Sequence, residues 1–299
     1  MRPVLIDCDP GTDDALAIFA ALNSPDLEVV GVTTVGGNAS LADTTRNALD
    51  LLEVCGRGDI PVWRGAAGPL SGEFTYAYEF HGAGGIGARL PAAASDARSG
   101  SADEAIAAAA RRRPGELTLI ALGPLTNVAV ALGNWPELAG DLAEILVMGG
   151  ALQVPGNVTA HAEFNIYNDP RAAASVFSSG VPVALVGLDV TTAVSIDRSA
   201  DHWRGERSRT AVLARRILDT WYDTHPDFDR YDLHDPLTVA AAIDPGICEW
   251  RSGRLAVDSG DGPERGRTVL EDGDGSDRAA VGVDAVRALA VIGDLVQGG

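Results

Sequence analysis

The chain opens with an apolar run, Val4-Leu5-Ile6, that stops abruptly at aspartates, and the same design recurs further along. Short apolar segments, Leu27 to Val35, Ile60 to Trp63, Leu117 to Leu122, Ile145 to Met148 and Val181 to Val186, alternate with stretches of helical spacing. Helices are predicted from about Asp13 and from about Leu41. Strands written as continuous apolar runs, without apolar-polar alternation, are covered on both faces. The pattern therefore predicts an α/β fold, a mainly parallel central sheet flanked by helices, organised as one domain over residues 1–299. From about Asp197 to Asp232 the spacing of Ala211-Val212-Leu213 and Ile217-Leu218 predicts helix. The tail from about Arg251 to Ala280 alternates short strands with Gly/Asp turns, and a last helix is predicted over about Val283 to Val296.

In open parallel sheets ligands bind beyond the carboxyl ends of the strands. The polar motifs fall there: Asp7 to Asp14 after the first strand, Gly36-Gly37-Asn38 after the second, Gly123-Pro124-Leu125-Thr126-Asn127 after Leu122, and Gly149-Gly150 after Met148. One cleft would collect them. The Gly- and Ala-rich stretch from about Arg64 to Ser101, which contains Phe80-His81-Gly82-Ala83-Gly84-Gly85, predicts a long loop beside that cleft, either a lid or a surface excursion.

Composition removes several classes of function. A formal charge of -19 argues against nucleic acid as a partner, and the longest basic run, Arg111-Arg112-Arg113, reads as a solvated helix end. All 23 basic residues are arginine, which excludes Schiff-base, P-loop-lysine and Ser-Lys chemistry. Cys8, Cys55 and Cys248 form no C-x-x-C and no disulfide framework, so a reducing, cytoplasmic compartment is expected. The first aspartate comes too early for a signal peptide, and no apolar run is long enough for a membrane span. Asp272-Gly273-Asp274-Gly275-Ser276-Asp277 lacks EF-hand spacing and its closing glutamate, and reads as a turn.

Asp7, Asp9, Asp13 and Asp14 crowd four carboxylates into eight residues. A helix cap accounts for one of them, Asp13, but not for four. Hard oxygen donors at this density suit Ca²⁺ or Mg²⁺ and not zinc. Water beside such a cation becomes more acidic, and a neighbouring carboxylate can act as its base, which implies hydrolysis. An aspartate-rich strand end also serves phosphoryl transfer, which would require an arginine for the phosphate. Asn157 and Glu163-Phe164-Asn165 offer short polar groups suited to the vicinal hydroxyls of a sugar. In His234-Asp235-Pro236, Asp235 is either a further cation ligand or a helix cap with Pro236 at the first helical position. His81, alone in a loop, reads as surface or catalytic.

In this order the motifs resemble the nucleoside hydrolases of the inosine-uridine-preferring type. They are Asp7-x-Asp9-Pro10-Gly11-x-Asp13-Asp14, Gly37-Asn38, Gly123 to Asn127, Met148-Gly149-Gly150, Ala162 to Ile166, Asn168-Asp169-Pro170 and His234-Asp235-Pro236. The resemblance implies a Rossmann-like open α/β core and hydrolysis of the N-glycosidic bond of a ribonucleoside. It implies that Asp9, Asp14, Asp235 and the Leu122 carbonyl hold Ca²⁺, with Asp9 also the base on the metal-bound water and Asp7 bracing the group. Asp13, Asn38, Asn157, Glu163 and Asn165 would grip the ribose, with Met148 beneath it. His234 would assist departure of a purine and His81 would lie near the base, which together imply the non-specific or pyrimidine-accepting branch. A homo-oligomer, dimer or tetramer, is implied in the same way.

Overall fold

The computed structural model of the chain describes residues 1–199, 208–273 and 275–298. Its first elements are β1 (Arg2–Cys8), α1 (Thr12–Asn23), β2 (Leu27–Thr34), α2 (Leu41–Val54), β3 (Val62–Arg64), α3 (Tyr78–His81), α4 (Ala102–Arg112) and β4 (Leu117–Ala121). There follow α5 (Thr126–Asn134), α6 (Leu138–Asp141), β5 (Leu142–Met148), α7 (Phe164–Asn168), α8 (Pro170–Phe177), β6 (Val183–Val186), α9 (Leu188–Thr191) and β7 (Ser195–Asp197). The last are α10 (Arg209–Thr224), β8 (Arg230–Asp232), α11 (His234–Ile243), β9 (Cys248–Val257), β10 (Thr268–Glu271), β11 (Asp277–Val283) and α12 (Ala285–Gln297).

The central sheet has the order β10-β9-β11-β6-β5-β4-β1-β2-β3 among the described residues. From β3 across to β11 the strands run parallel. The strands of the tail do not make a separate layer; β9 and β10 extend the same sheet antiparallel beyond β11. β1 pairs with β2 on one side and β4 on the other, so the winding reverses at β1. The crevice at the carboxyl ends of β1 and β4 is the switch point where sheets of this kind take ligands.

Alternation along β1 sends Val4, Ile6 and Cys8 into an apolar cluster with α1, α2, α10, α11 and α12, and Leu5 into a second cluster with α4, α5 and α8. Asp7 shares the Leu5 face, where Asn127 on α5 meets it. α1 is buried at every position from Thr12 to Ala21, as a helix apolar on nearly all sides must be. A helix sunk that deeply carries its first turn, with Asp13 and Asp14, into the interior.

The helix expected over about Asp197 to Asp232 is shorter: α10 covers Arg209–Thr224, while β7 and β8 pair as a separate antiparallel ribbon. Pro226 explains the C-terminal limit, because it disfavours helical geometry at His225, whose φ of -125° and ψ of 69° already leave the helix. The N-terminal part of that expectation reaches residues 200–207, outside the described residues. Arg111 and Arg112 do end a helix, α4. The turn expected at Asp272 to Asp277 falls between β10 and β11 except for Asp277, which opens β11, and residue 274 is outside the described ones.

The stretch between β3 and α4 is tied to the body by side chains. Asp169 accepts from Leu70 N at 2.8 Å, Asn168 from Thr75 N at 2.8 Å, and Asp50 from Ala93 N at 2.7 Å. This is the structural use of the Asn168-Asp169-Pro170 motif, whose aspartate also caps α8. Docked in this way, the stretch brings α3 against the switch point.

Candidate active site

At the end of β1 the chain turns at Pro10-Gly11 into α1. Gly11 precedes the helix, and its N–H donates to Asp14 Oδ2 at 2.9 Å. Asp13, expected as the helix cap, therefore lies within the first turn, because the helix starts two residues earlier than a cap at Asp13 would set it. The cap alternative for Asp235 fails likewise: α11 begins at His234, so Asp235 and Pro236 are both inside its first turn. Asp13, Asp14 and Asp235 converge, each offering a carboxylate oxygen within 4.8 Å of the others.

Asp9 stands beside this triad, held on Oδ2 by Asn38 N–H at 2.6 Å. A β-carbon on Gly37 would lie 2.1 Å from Asp9 Oδ2, and one on Gly123 2.5 Å from Oδ1. The two glycine motifs are thus the space that the Asp9 carboxylate fills. Asn38 also donates from Nδ2 to Asp14 Oδ2 at 3.0 Å, linking the two carboxylates. Asp7 lies behind them, its Oδ1 accepting from Thr33 Oγ1 at 2.6 Å and from Asn127 Nδ2 at 2.7 Å.

Electrostatics follow from burial. It pushes Asp7 and Asp13 up to about 7 and Asp14 up to about 6, with the charge of Asp14 adding to the rise at Asp13. Asp9 and Asp235 are raised further, again by burial first and then by repulsion from neighbouring aspartates. Asp7 Oδ2, Asp9 Oδ1 and Asp14 Oδ1 are buried without any hydrogen-bond partner among the described residues. A buried acceptor left so costs about 1–3 kcal/mol, and the carboxylates cannot all ionise in a dry interior without counter-charge. The converging donors are all oxygens, with no imidazole or thiolate among them. This set fits a hard divalent cation.

Above the cluster opens a cavity of about 270 Å³. Asp13 and Asp235 reach it from below with Leu122, and Asn38, Met148, Asn157, Glu163 and Asn165 line it. All these had been singled out by sequence; Asp9 and Asp14 do not line it. The lining contains no arginine among the described residues. Glu163 caps α7, its carboxylate accepting from Gly150 N at 3.0 Å, Asn165 N at 2.8 Å and Ile166 N at 3.1 Å. Asn165 Nδ2 donates to Leu122 O at 2.7 Å, so that carbonyl already has one protein donor.

His81 and His234 complete the wall with Ala77, Phe80, Val158 and Phe164. His81 is buried, not a surface residue, and its Nδ1 accepts from Thr12 N at 3.2 Å, which leaves the ring proton on Nε2. Burial lowers it to about 3. His234 Nδ1 lies 2.8 Å from Thr191 Oγ1, and burial lowers it to about 4. Both rings are neutral at pH 7. Sequence reasoning missed Phe80 and Val158, which are apolar, and Thr191, a lone hydroxyl outside any motif. Tyr222 bonds Ile196 O at 2.5 Å, away from the cavity. Tyr231 is buried with its hydroxyl facing the Asp13 carboxylate, without the geometry of a closed hydrogen bond. An aromatic residue three positions before His234 was the available signal.

Known proteins share this fold. The family model described as inosine-uridine preferring nucleoside hydrolase matches residues 4–290. The pyrimidine-specific ribonucleoside hydrolase RihA of Citrobacter koseri is 40% identical over 275 residues, covering 90% of this chain and 88% of its own length. A purine-preferring ribonucleoside hydrolase from Gardnerella vaginalis superposes with a TM-score of 0.94 at 33% identity, over 99% of this chain and 98% of that one. A plant nucleoside hydrolase does so with a TM-score of 0.91 at 36% identity, over 99% of both chains. Among the described residues no helix is long and apolar enough to cross a membrane. The chain belongs to the inosine-uridine preferring nucleoside hydrolase family, enzymes that act on N-glycosyl compounds.

Proposed function

We propose that this enzyme hydrolyses the N-glycosidic bond of pyrimidine ribonucleosides, using Ca²⁺ held by Asp9, Asp14, Asp235 and the Leu122 carbonyl. The observation that carries the reading is the carboxylate cluster, with its unpartnered buried oxygens, at the floor of a cavity with polar ribose-sized walls below and neutral histidines above. When bound, the cation offsets repulsion among the carboxylates and supplies Lewis acidity toward water.

The protein's own groups do the rest. Asp9, anchored through Oδ2 by Asn38, keeps Oδ1 free to take a proton from water. Asp13, Asn38, Asn157, Glu163 and Asn165 bind the ribose, with Met148 under the ring. Their carboxylates stabilise the positive charge that develops on the sugar as the bond to the base lengthens. Glu163 is preorganised for this by the three backbone amides it accepts from.

Base preference follows from the upper wall. Neutral His81 presents Nε2–H, a hydrogen-bond donor and not a strong acid. His234 is also neutral, and a cation next to it would lower its basicity further. Neutral donors suit the carbonyl oxygens of a pyrimidine better than the proton transfer that purine departure calls for. The resemblance to RihA, pyrimidine-specific by name, supports the same preference. Phosphoryl transfer finds no support, since among the described residues the cavity lining offers no arginine for a phosphate.

A panel of uridine, cytidine, inosine and adenosine, followed by release of reducing sugar, tests the reading. Uridine and cytidine should exceed the purines in kcat/KM by about tenfold or more, the scale on which one pocket separates related substrates. EGTA should abolish turnover and Ca²⁺ restore it, and Asp9→Asn should lower kcat by about 10³ while nucleoside binding persists. No sugar released from any nucleoside, or full activity of Asp9→Asn, would contradict the mechanism.

A further inference from the structure

Phe80 and His81 reach the cavity from α3, a helix only four residues long. So short a helix cannot satisfy its own last carbonyls. Gly82 N meets Tyr78 O at 2.9 Å, but Glu79 O and Phe80 O find their donors elsewhere. Trp221 Nε1–H donates to Phe80 O at 2.7 Å, and His225 Nε2 lies 3.0 Å from Glu79 O. Both come from the C-terminal end of α10, four residues apart, and their rings stack with centroids 4.4 Å apart at 14°. His225 Nδ1 lies 2.8 Å from Trp221 O and 3.1 Å from Thr224 Oγ1, so a ring that donates from Nε2 to Glu79 O also donates from Nδ1 to Trp221 O and carries both of its protons. The Phe80 ring stands edge-on to Trp221 at 5.3 Å.

We propose that Trp221 and His225 form a two-donor clasp on the α3 turn, which positions Phe80 and His81 against the base. The proposal rests on the reading of the cavity as a nucleoside site. Neither residue lines the cavity; each acts through the backbone of α3. With the clasp closed, the upper wall is formed before the ligand arrives. With it broken, the turn must be ordered at each binding event, so affinity falls for ligands that carry a base. Ribose alone, held by groups on the first turn of α1, the loop after β2 and the segment from the end of β5 to α7, is indifferent to it.

Trp221→Phe keeps the ring and removes one donor; His225→Phe keeps the stack and removes the other. Hydrogen exchange of the amides of residues 77–87 in the free enzyme reads the clasp directly. Steady-state kinetics with uridine, and inhibition by ribose, read its consequence. Exchange in that segment should quicken about fivefold in either variant, the effect of about one net hydrogen bond, with other segments unchanged. Uridine KM should rise about fivefold while kcat stays within about twofold, and the inhibition constant of ribose should not move. Unchanged exchange and KM overturn the proposal, as does a loss spread over the whole exchange map or shared equally by uridine and ribose. If Trp221→Phe fails to fold, His225→Phe, at a half-buried position, decides the matter. If the wild type cleaves no nucleoside, the proposed function fails, and the exchange measurement alone decides the clasp.

Discussion

Replacing Gly37 by alanine tests the way Asp9 is held. The new β-carbon would lie 2.1 Å from Asp9 Oδ2, where ordinary contact begins at 3.4 Å. It has no room to retreat, because Pro124 Cδ stands 2.9 Å away. The carboxylate must therefore swing aside and give up its 2.6 Å bond from Asn38 N. Hydrogen bonds to a charged group contribute about 1.5–3 kcal/mol, so a stability loss near 2 kcal/mol is expected. In a chain of this size that lowers Tm by about 4 °C. The catalytic loss should be larger, since displacing a reacting group by about 1 Å lowers turnover about 10²-fold. The assay is kcat on uridine in saturating Ca²⁺, alongside a thermal melt. Gly133→Ala on α5 is the control: its β-carbon meets nothing within 4 Å, and alanine there should be neutral or stabilising by up to about 1 kcal/mol. A Gly37→Ala enzyme that turns over uridine within about threefold of wild type would show that the glycine is not the space Asp9 needs.

Two further outcomes are expected. In calcium-free protein the buried carboxylates should make stability fall as pH rises, because between 3.8 and about 7 folded Asp7 keeps a proton that the unfolded chain has released. Asp13 acts over the same window and Asp14 up to about 6. Melts in EGTA should thus decline from about pH 5 to pH 7, with the gain on adding Ca²⁺ largest at the upper end; a rising Tm in EGTA over that range would refute the assignment. Thr191→Val removes the oxygen 2.8 Å from His234 Nδ1 and keeps the side-chain shape. It should lower kcat on uridine about fivefold with little change in Tm, and unaltered kcat would mean that Thr191 does not orient the ring.

Much of the architecture was legible because it is written locally. Continuous apolar runs such as Leu117 to Leu122 specify strands covered on both faces, and their regular alternation with helices specifies parallel order. The helix over residues 197–232 was overextended because amphipathic spacing continues past the point where Pro226 stops the backbone. The tail strands were legible as strands, but their joining the edge of the main sheet was not, since pairing between β9 and β11 is a choice among distant partners.

The candidate site divides in the same way. The types and order of the residues, aspartates after β1, glycines after β2 and β4, Glu163 and Asn165 after β5, His234 and Asp235 before α11, are properties of the sequence, because chemistry requires those side chains at strand ends. Only the tertiary structure decided that Asp13 joins Asp14 and Asp235 while Asp9 sits between Gly37 and Gly123. The same holds for the burial and neutrality of His81, and for Phe80, a plain aromatic in sequence, becoming a cavity wall held by Trp221. Burial, desolvation and steric space are sums over neighbours far apart in the chain. Residues 9, 37, 123 and 235 come within reach of one another only when β1 lies between β2 and β4 in the folded sheet.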